Sequence, residues 1–105
     1  MDRDSVFRAL ADQNRRAILD RLATRNGLSL VELTGVLDIS RQAATKHLRI
    51  LEKAGLVVVV RRGRQTLHYL NPVPIHTEAM RWLSRFDNTP LKSLAAIRET
   101  RRDDR

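Results

Sequence analysis

The feature that most constrains the fold is a change of periodicity at Gly55. Before this glycine, apolar residues recur every three or four positions, which is typical of amphipathic helices. Directly after it, residues 56–60 are LVVVV, and a second apolar run, residues 67–70, follows across the polar segment 61–65. Two β-branched or apolar runs around a glycine-containing turn predict a β-hairpin with its tip at Gly63. The 105 residues therefore suit one small, mainly α-helical domain with a single hairpin.

Two short helices are predicted immediately before the hairpin. Ser29 and Glu32 have the spacing of a capping box, in which each side chain satisfies the other's free backbone N–H. Ser40 is a candidate N-cap for the next helix, which we expect to run to about Ala54. The first of the two carries Leu30, Leu33 and Leu37 on one face. Two short helices joined by a tight turn predict a helix-turn-helix, and the hairpin behind them would be the wing of a winged helix.

The second of these helices has two chemically different faces. At about 100° per residue, its polar side chains fall within an arc of about 140°. These are Arg41, Gln42, Thr45, Lys46 and Arg49. The opposite side holds Ala43, Ala44, His47, Ile50, Leu51 and Ala54. Arg, Gln, Thr and Lys are side chains that contact base edges and phosphates, and no acid interrupts them before Glu52. The alternative is an ordinary amphipathic surface helix, although such helices usually mix charges of both signs.

Positive charge is concentrated in the same part of the chain. The whole sequence has a formal net charge of +8, and residues 41–65 contain seven basic residues against one acid. Three arginines at a hairpin tip would repel one another unless a polyanion lies opposite. We therefore predict that the wing residues Arg61, Arg62, Arg64 and Gln65 contact DNA together with Ser40 and the polar face of the helix. A solvated charged face is the alternative.

The flanking segments predict further helices. Asp4 and Ser5 are candidate caps for a first helix, and Asp12 for a second that Asn26-Gly27 would end. After the hairpin, Asn71 to Pro74 would begin a fifth helix. A last helix would follow Thr89-Pro90 and carry Leu91, Leu94, Ala95 and Ile97. We expect one domain over residues 1–97 and a frayed charged tail over 98–105.

The fifth helix carries an apolar stripe that the small domain has little room to bury. Its members are Ile75, Ala79, Trp82, Leu83 and Phe86. Together with Val6, Phe7 and Leu10 of the first helix, the stripe predicts a dimer interface. Packing within one chain is the alternative.

The sequence resembles the ArsR-type family of bacterial winged-helix transcriptional repressors. The resemblance rests on residues 9–12 (ALAD), 15–19 (RRAIL), 30–33 (LVEL), 39–48 (ISRQAATKHL), 55–57 (GLV) and 62–64 (RGR). It covers about residues 5–86 and implies a homodimer built from the first and fifth helices. It also implies repression through a pseudo-palindromic operator, with Ser40, Arg41, Gln42, Thr45 and Lys46 contacting DNA.

The sequence predicts no metal and no cofactor. It contains no cysteine, whereas metal sensors of the resembled family often carry paired cysteines on the third helix. Other members bind zinc through histidines and acids of the fifth helix, but here His76 and Glu78 have i, i+2 spacing and would lie on different faces. We expect His47 and His68 to be structural.

We therefore expect a dimeric, sequence-specific DNA-binding repressor, with a further effector or protein partner left open. The alternatives are a non-specific architectural DNA binder and a winged helix used for protein assembly. No nucleophile constellation or glycine-rich phosphate loop suggests an enzyme. The N-terminus lacks the pattern of a signal peptide, and no apolar run approaches the length of a membrane span, so the expected location is the cytoplasm.

Overall fold

The computed structural model describes residues 3–87 and 97–98. The described part of the chain contains five helices and three strands in the order α1 (Arg3–Leu10), α2 (Gln13–Thr24), β1 (Leu28–Ser29), α3 (Leu30–Leu37), α4 (Arg41–Lys53), β2 (Val57–Arg62), β3 (Gln65–Leu70) and α5 (Val73–Ser84). The predicted helix-turn-helix is α3 and α4, and the predicted wing is β2 and β3. The mainly α-helical winged helix-turn-helix expected from the sequence is confirmed.

Side-chain caps fix the starts of three helices, as predicted. The carboxylate of Asp12 accepts hydrogen bonds from the backbone N–H groups two and three residues further on, at 2.8 and 3.1 Å. Ser29 and Glu32 form the complete capping box of α3, with bonds of 3.2 and 3.0 Å. Ser40 caps α4 through a 3.0 Å bond from the N–H three residues on. Each cap satisfies a backbone donor that the first helical turn leaves free.

The other helix ends correct one expectation and confirm another. Helix α1 begins at Arg3, so Asp4 and Ser5 lie inside its first turn instead of capping it. Helix α3 ends at Leu37, where Asp38 adopts a left-handed conformation (φ 53°); the tight turn between α3 and α4 was predicted, but this conformation was not. The predicted stop after α4 is confirmed, since Gly55 has φ 78°.

The segment after α2 joins the sheet, which the sequence did not predict. Helix α2 ends at Thr24, before Asn26-Gly27, and its C-cap is extended, not left-handed. The N–H of Gly27 donates to the carbonyl of His68 at 3.0 Å, and the Asn26 side-chain oxygen accepts from the N–H of Leu70 at 2.8 Å. Strand β1 then pairs with β3, so the antiparallel sheet has the order β1-β3-β2. Asn26-Gly27 therefore connects α2 to the wing, and the hairpin is part of a three-stranded sheet.

The hairpin is tighter than predicted. Its strands extend to a pairing of Arg62 with Gln65, so the loop contains two residues instead of five. Gly63 occupies the first central position with φ 61°, a conformation in which glycine is favoured in two-residue hairpin loops.

The core lies between the helices and the inner face of the sheet. Its largest fully buried side chains are Ile18, Leu22, Leu33, Leu51, Leu56, Val6 and Val57. Val6 is only 1% exposed and has no surface left for another chain, so its place in the predicted dimer interface is wrong. Leu10 and Ile75 are partly buried and pack against the same core.

The start of α5 is tied to the corner between α4 and β2. The N–H of Asn71 donates to the Leu56 carbonyl at 2.8 Å, and its side-chain amide donates to the Gly55 carbonyl at 3.0 Å.

Most of the predicted last helix, including Leu91, Leu94 and Ala95, lies outside the described residues, as does the tail beyond Arg98. Ile97 and Arg98 are helical. No helix in the described part of the chain is long and apolar enough to cross a bilayer.

Candidate nucleic-acid interface

Helix α4 separates its core-facing and outward residues as predicted. Ala44, Leu48 and Leu51 are buried. The outward face carries exposed Arg41, Gln42, Lys46 and Arg49, and half-buried Thr45. The inner face of the helix packs into the hydrophobic core, and the outward face lies at the surface. We call α4 the recognition helix.

Two of the predicted contact residues have their hydroxyl groups partly engaged within the protein. The Ser40 oxygen accepts the capping bond of the recognition helix, which leaves its O–H free to donate to a phosphate. The Thr45 hydroxyl donates to the carbonyl of Arg41 at 2.8 Å, so it can offer an external ligand only an acceptor and its methyl group. Of the predicted helix contacts, Gln42 and the three basic side chains have the most freedom to pair with DNA.

The register of the wing separates its predicted contact residues. Side chains alternate between the faces of a strand, and Val57 is buried whereas Val58 is 48% exposed. Arg61 therefore lies on the same sheet face as Val57, towards the recognition helix, and it pairs with Thr66. Arg62 and Gln65 belong to the opposite face. Arg64 lies in the exposed two-residue loop, so the wing arginines point in different directions instead of forming one cluster.

A cavity of about 220 Å³ lies between the recognition helix and the inner face of the wing. Thr45 and Arg49 line it from the helix, and Thr66 and Val59 line it from the sheet. Sequence analysis did not single out Thr66, although its pairing with a residue on the Val57 face would have placed it there once the register was known. The structure brings Thr45, Arg49 and Thr66 to the same groove.

The three histidines are separated in the structure. His68 is 6% exposed, and its Nδ1 donates to the Leu28 carbonyl at 2.9 Å. His47 is half-buried beside the Arg15 guanidinium at 3.4 Å. Both side chains make contacts within the chain, which agrees with the structural roles expected for them, and His76 is exposed. Among the residues described, no three His, Asp or Glu side chains come together as metal ligands would. The absence of a metal remains a prediction.

The remaining predicted dimer residues form an exposed apolar surface on α1, on α5 and just beyond the end of α5, where Phe86 lies in a turn and not in the helix as predicted. Trp82, Leu83 and Phe86 are 48%, 51% and 52% exposed. The Trp82 ring lies edge-on to Phe7, with centroids 6.2 Å apart, and to Phe86 at 5.3 Å. Ala79 is half-buried. We call Phe7, Ala79, Trp82, Leu83 and Phe86 the aromatic face.

Comparisons with known proteins agree with this architecture. A helix-turn-helix domain family matches residues 10–60. The HTH-type transcriptional regulator YuzN of Bacillus subtilis is 42% identical over 88 residues, covering 78% of this chain and 96% of YuzN. The HTH-type transcriptional regulator Rv2034 of Mycobacterium tuberculosis is 36% identical over 102 residues, covering 96% of this chain and 92% of Rv2034. The solved structure of an ArsR-like transcriptional regulator from Rhodococcus sp. RHA1 superposes with a TM-score of 0.72 at 36% identity, covering 93% of this chain and 91% of the other.

The fold and the exposed basic helix define a winged helix-turn-helix regulator of transcription. YuzN and Rv2034 are 42% and 36% identical to this chain over nearly their full lengths, which narrows this class of regulator to one family. The chain belongs to the ArsR-like family of HTH-type transcriptional regulators, and the resemblance inferred from its sequence is confirmed.

Proposed function

We propose that this protein is a homodimeric repressor that binds a pseudo-palindromic DNA operator in a sequence-specific manner. The observation that carries the proposal is the outward face of the recognition helix, where exposed Arg41, Gln42, Lys46 and Arg49 project from a docked helix beside a basic wing. Phosphate contacts alone would give affinity without sequence choice, whereas Gln42 adds a side chain able to distinguish bases. Repression, as opposed to activation, is what the family resemblance implies.

The recognition helix would enter the major groove with its first turn, as in other helix-turn-helix complexes. There the Gln42 amide can pair with the N6 and N7 atoms of adenine, and Arg41 or Arg49 with O6 and N7 of guanine. Arg62 and Arg64 would reach phosphates or the minor groove from the wing. Arg61 and Gln65, on opposite faces of the hairpin, would contact the backbone at different points.

The second copy would bind through the aromatic face. Trp82 and Leu83 in α5 and Phe86 just beyond its end are each about half exposed. Together they are more than a monomer usually leaves to solvent as a contiguous patch. A symmetric dimer would present two recognition helices to successive major grooves, so half-sites should lie about 10 bp apart or a multiple of it.

Selection from a random double-stranded DNA pool tests the proposal directly. We expect enrichment of an inverted repeat with a fixed spacing between its half-sites. Binding without enrichment, with a steep salt dependence, would instead indicate an architectural DNA binder. If the protein does not bind DNA even at low salt, a role of the winged helix in protein assembly becomes the favoured alternative.

A further inference from the structure

Three helices meet at a polar cluster on the inner side of the recognition helix. The cluster consists of Asp12, which is the N-cap of α2, Arg15 from the first turn of α2 and His47 from α4. His47 Nδ1 lies 3.4 Å from an Arg15 terminal nitrogen and 4.0 Å from a carboxylate oxygen of Asp12. The His47 side chain is 15% exposed and that of Asp12 is 36% exposed, so His47 is the better shielded of the two. Polar interactions are stronger where water is excluded.

The same arginine holds the end of α1. Its Nε donates to the carbonyl of Ala9 at 2.8 Å, and one terminal nitrogen donates to the carbonyl of Arg8 at 2.9 Å. Arg16 adds a 2.7 Å bond to the Leu10 carbonyl. The last turn of a helix carries a partial negative charge and carbonyls with spare capacity to accept hydrogen bonds, and the guanidinium donates to two of them. Arg15 therefore contacts α1 with two nitrogens and the recognition helix with the third.

Hydrogen-bond chemistry sets the direction of the Arg15–His47 contact. A guanidinium only donates hydrogen bonds, so in a hydrogen bond between Arg15 and His47 the acceptor is Nδ1 of His47. Asp12 is already engaged as the cap of α2 at 2.8 and 3.1 Å. The planar, charged fork of Arg15 fixes the direction of its third N–H once the other nitrogens are bound, which restricts where His47, and with it α4, can sit.

The Arg15–His47 contact lies between the two surfaces that the proposed function uses. Helix α1 contributes Phe7 to the aromatic face, where its ring contacts Trp82 of α5. Helix α4 carries the base-contacting residues. In a dimer, the angle between these helices determines where each recognition helix points and how far apart the two lie.

We propose that Arg15 and His47 are positioning residues that fix the angle of the recognition helix relative to the dimer face, and thereby set the half-site spacing that the protein accepts. This inference rests on the proposed function. It assigns the pair a role in selecting operators that differ only in the distance between identical half-sites.

Operators with one or two base pairs inserted or deleted between the half-sites test this role. Each added base pair rotates one half-site by about 35° relative to the other. We expect wild type to prefer its selected spacing by about tenfold, a typical coupling between sites. His47→Leu, which keeps an apolar fit but removes the acceptor, should flatten this preference severalfold while binding a single half-site as well as wild type. His47→Asn places a carbonyl oxygen near the position of Nδ1 and should restore the preference.

A matched control separates positioning from loss of stability. Ile18→Val removes one methyl group from the fully buried core side of α2 without touching the cluster, and it should lower the melting temperature while leaving the spacing profile unchanged. An unchanged profile in His47→Leu, or equal flattening in Ile18→Val, would overturn the inference. If wild type selects no sequence at all, the proposed function itself fails, which is a separate result.

Discussion

At the scale of single residues, the helix and the wing offer different chemistry to DNA. Gln42 is exposed in the first turn of the recognition helix, and Arg64 is exposed in the hairpin loop. Gln42→Ala removes the proposed base contact, so it should cost about 1–3 kcal/mol on the selected operator and relax the preference at one base pair per half-site. Affinities for the operator, for single-base variants of it and for random DNA would measure this.

Arg64→Ala should instead weaken DNA binding without changing the base preference. Loss of the proposed phosphate contact should weaken binding to operator and random DNA alike, and it should lower the slope of log affinity against log salt by about 1 for each phosphate that is no longer neutralised. The two variants serve as controls for one another. If Gln42→Ala weakened both DNAs equally and Arg64→Ala changed base preference, the roles of helix and wing would be reversed.

The two glycines at Gly27 and Gly35 make a matched pair with opposite expected effects on stability. Gly27 has φ 75°, and a Cβ there would lie 3.0 Å from the Tyr69 hydroxyl. Gly27→Ala should therefore destabilise the protein by at least about 1–2 kcal/mol, the cost of a left-handed L-residue. Gly35 lies in α3 with nothing within 4 Å of a Cβ, and Gly35→Ala should stabilise by about 0.5–1 kcal/mol. Urea unfolding compares both with wild type, and equal stabilities would contradict the close approach of Tyr69.

At the scale of elements, the α3 capping box should make stability depend on pH. The backbone N–H of Ser29, and then its hydroxyl, lower the pKa of Glu32 below its ordinary value of 4.5, with a smaller contribution from the charge of Arg25 and an opposing one from burial. The unfolded chain therefore binds this proton more readily than the folded one. The stabilisation of the folded state by ionised Glu32 is therefore fully present at pH values above the ordinary pKa of Glu32, and it is lost as the pH falls through the lowered pKa.

Glu32→Gln keeps the capping hydrogen bond but cannot titrate. Its free energy of unfolding should fall less steeply than that of wild type as pH decreases from about 7 to 3. Asp12, whose pKa is lowered chiefly by the N–H of Arg15, titrates in both proteins and cancels in the comparison. Identical slopes would show that the box does not hold the ionised carboxylate.

Local signals allowed the sequence to predict most elements but not the way they join. The caps Asp12, Ser29 and Ser40 were predictable because each acts within three residues of itself. Strand β1 was missed because two residues, Leu28 and Ser29, carry no periodicity and pair with a strand about 40 residues further on. Periodicity likewise placed Val6 on an apolar face of α1 but could not say that this face would be filled by its own chain.

The same limit applies to the candidate site. The polar face of α4 followed from helical spacing alone, and its exposure agrees with that prediction. The division of the wing between Arg61 on one face and Arg62 on the other depends on strand register, which a five-residue loop would have left undefined. The Arg15–His47 contact joins positions 32 residues apart and has no signature in the sequence.

At the scale of the whole molecule, the aromatic face predicts a dimer. Sedimentation at micromolar concentration should give about twice the 12.1 kDa chain mass. Trp82→Ala should weaken association by at least about 2 kcal/mol, as truncation of a central aromatic anchor does. Val31→Ala, at a 60% exposed position on α3, is the control and should leave association unchanged. A wild-type monomer at this concentration would rule the dimer out.

The dimer should respond to no transition metal. Zinc titrated into chelator-treated protein should leave operator affinity unchanged at one equivalent per chain. This expectation rests on the absence of cysteine from the sequence and on the separation of the three histidines. A fall in affinity on adding zinc, abolished by His76→Ala, would reveal a site completed between two copies.

The register of the wing limits how a hairpin of this kind can change length during evolution. If Val57 stays in the core, deleting Val60 from β2 would move Arg61 to the outer face of the sheet and Arg62 to the inner face, because alternate side chains occupy opposite faces. A change of one residue in each strand, next to the Gly63 loop, would preserve every pairing nearer the core. The wings of related regulators should therefore lengthen or shorten in steps of two residues, one in each strand, and a glycine should remain in the loop at the tip of the hairpin.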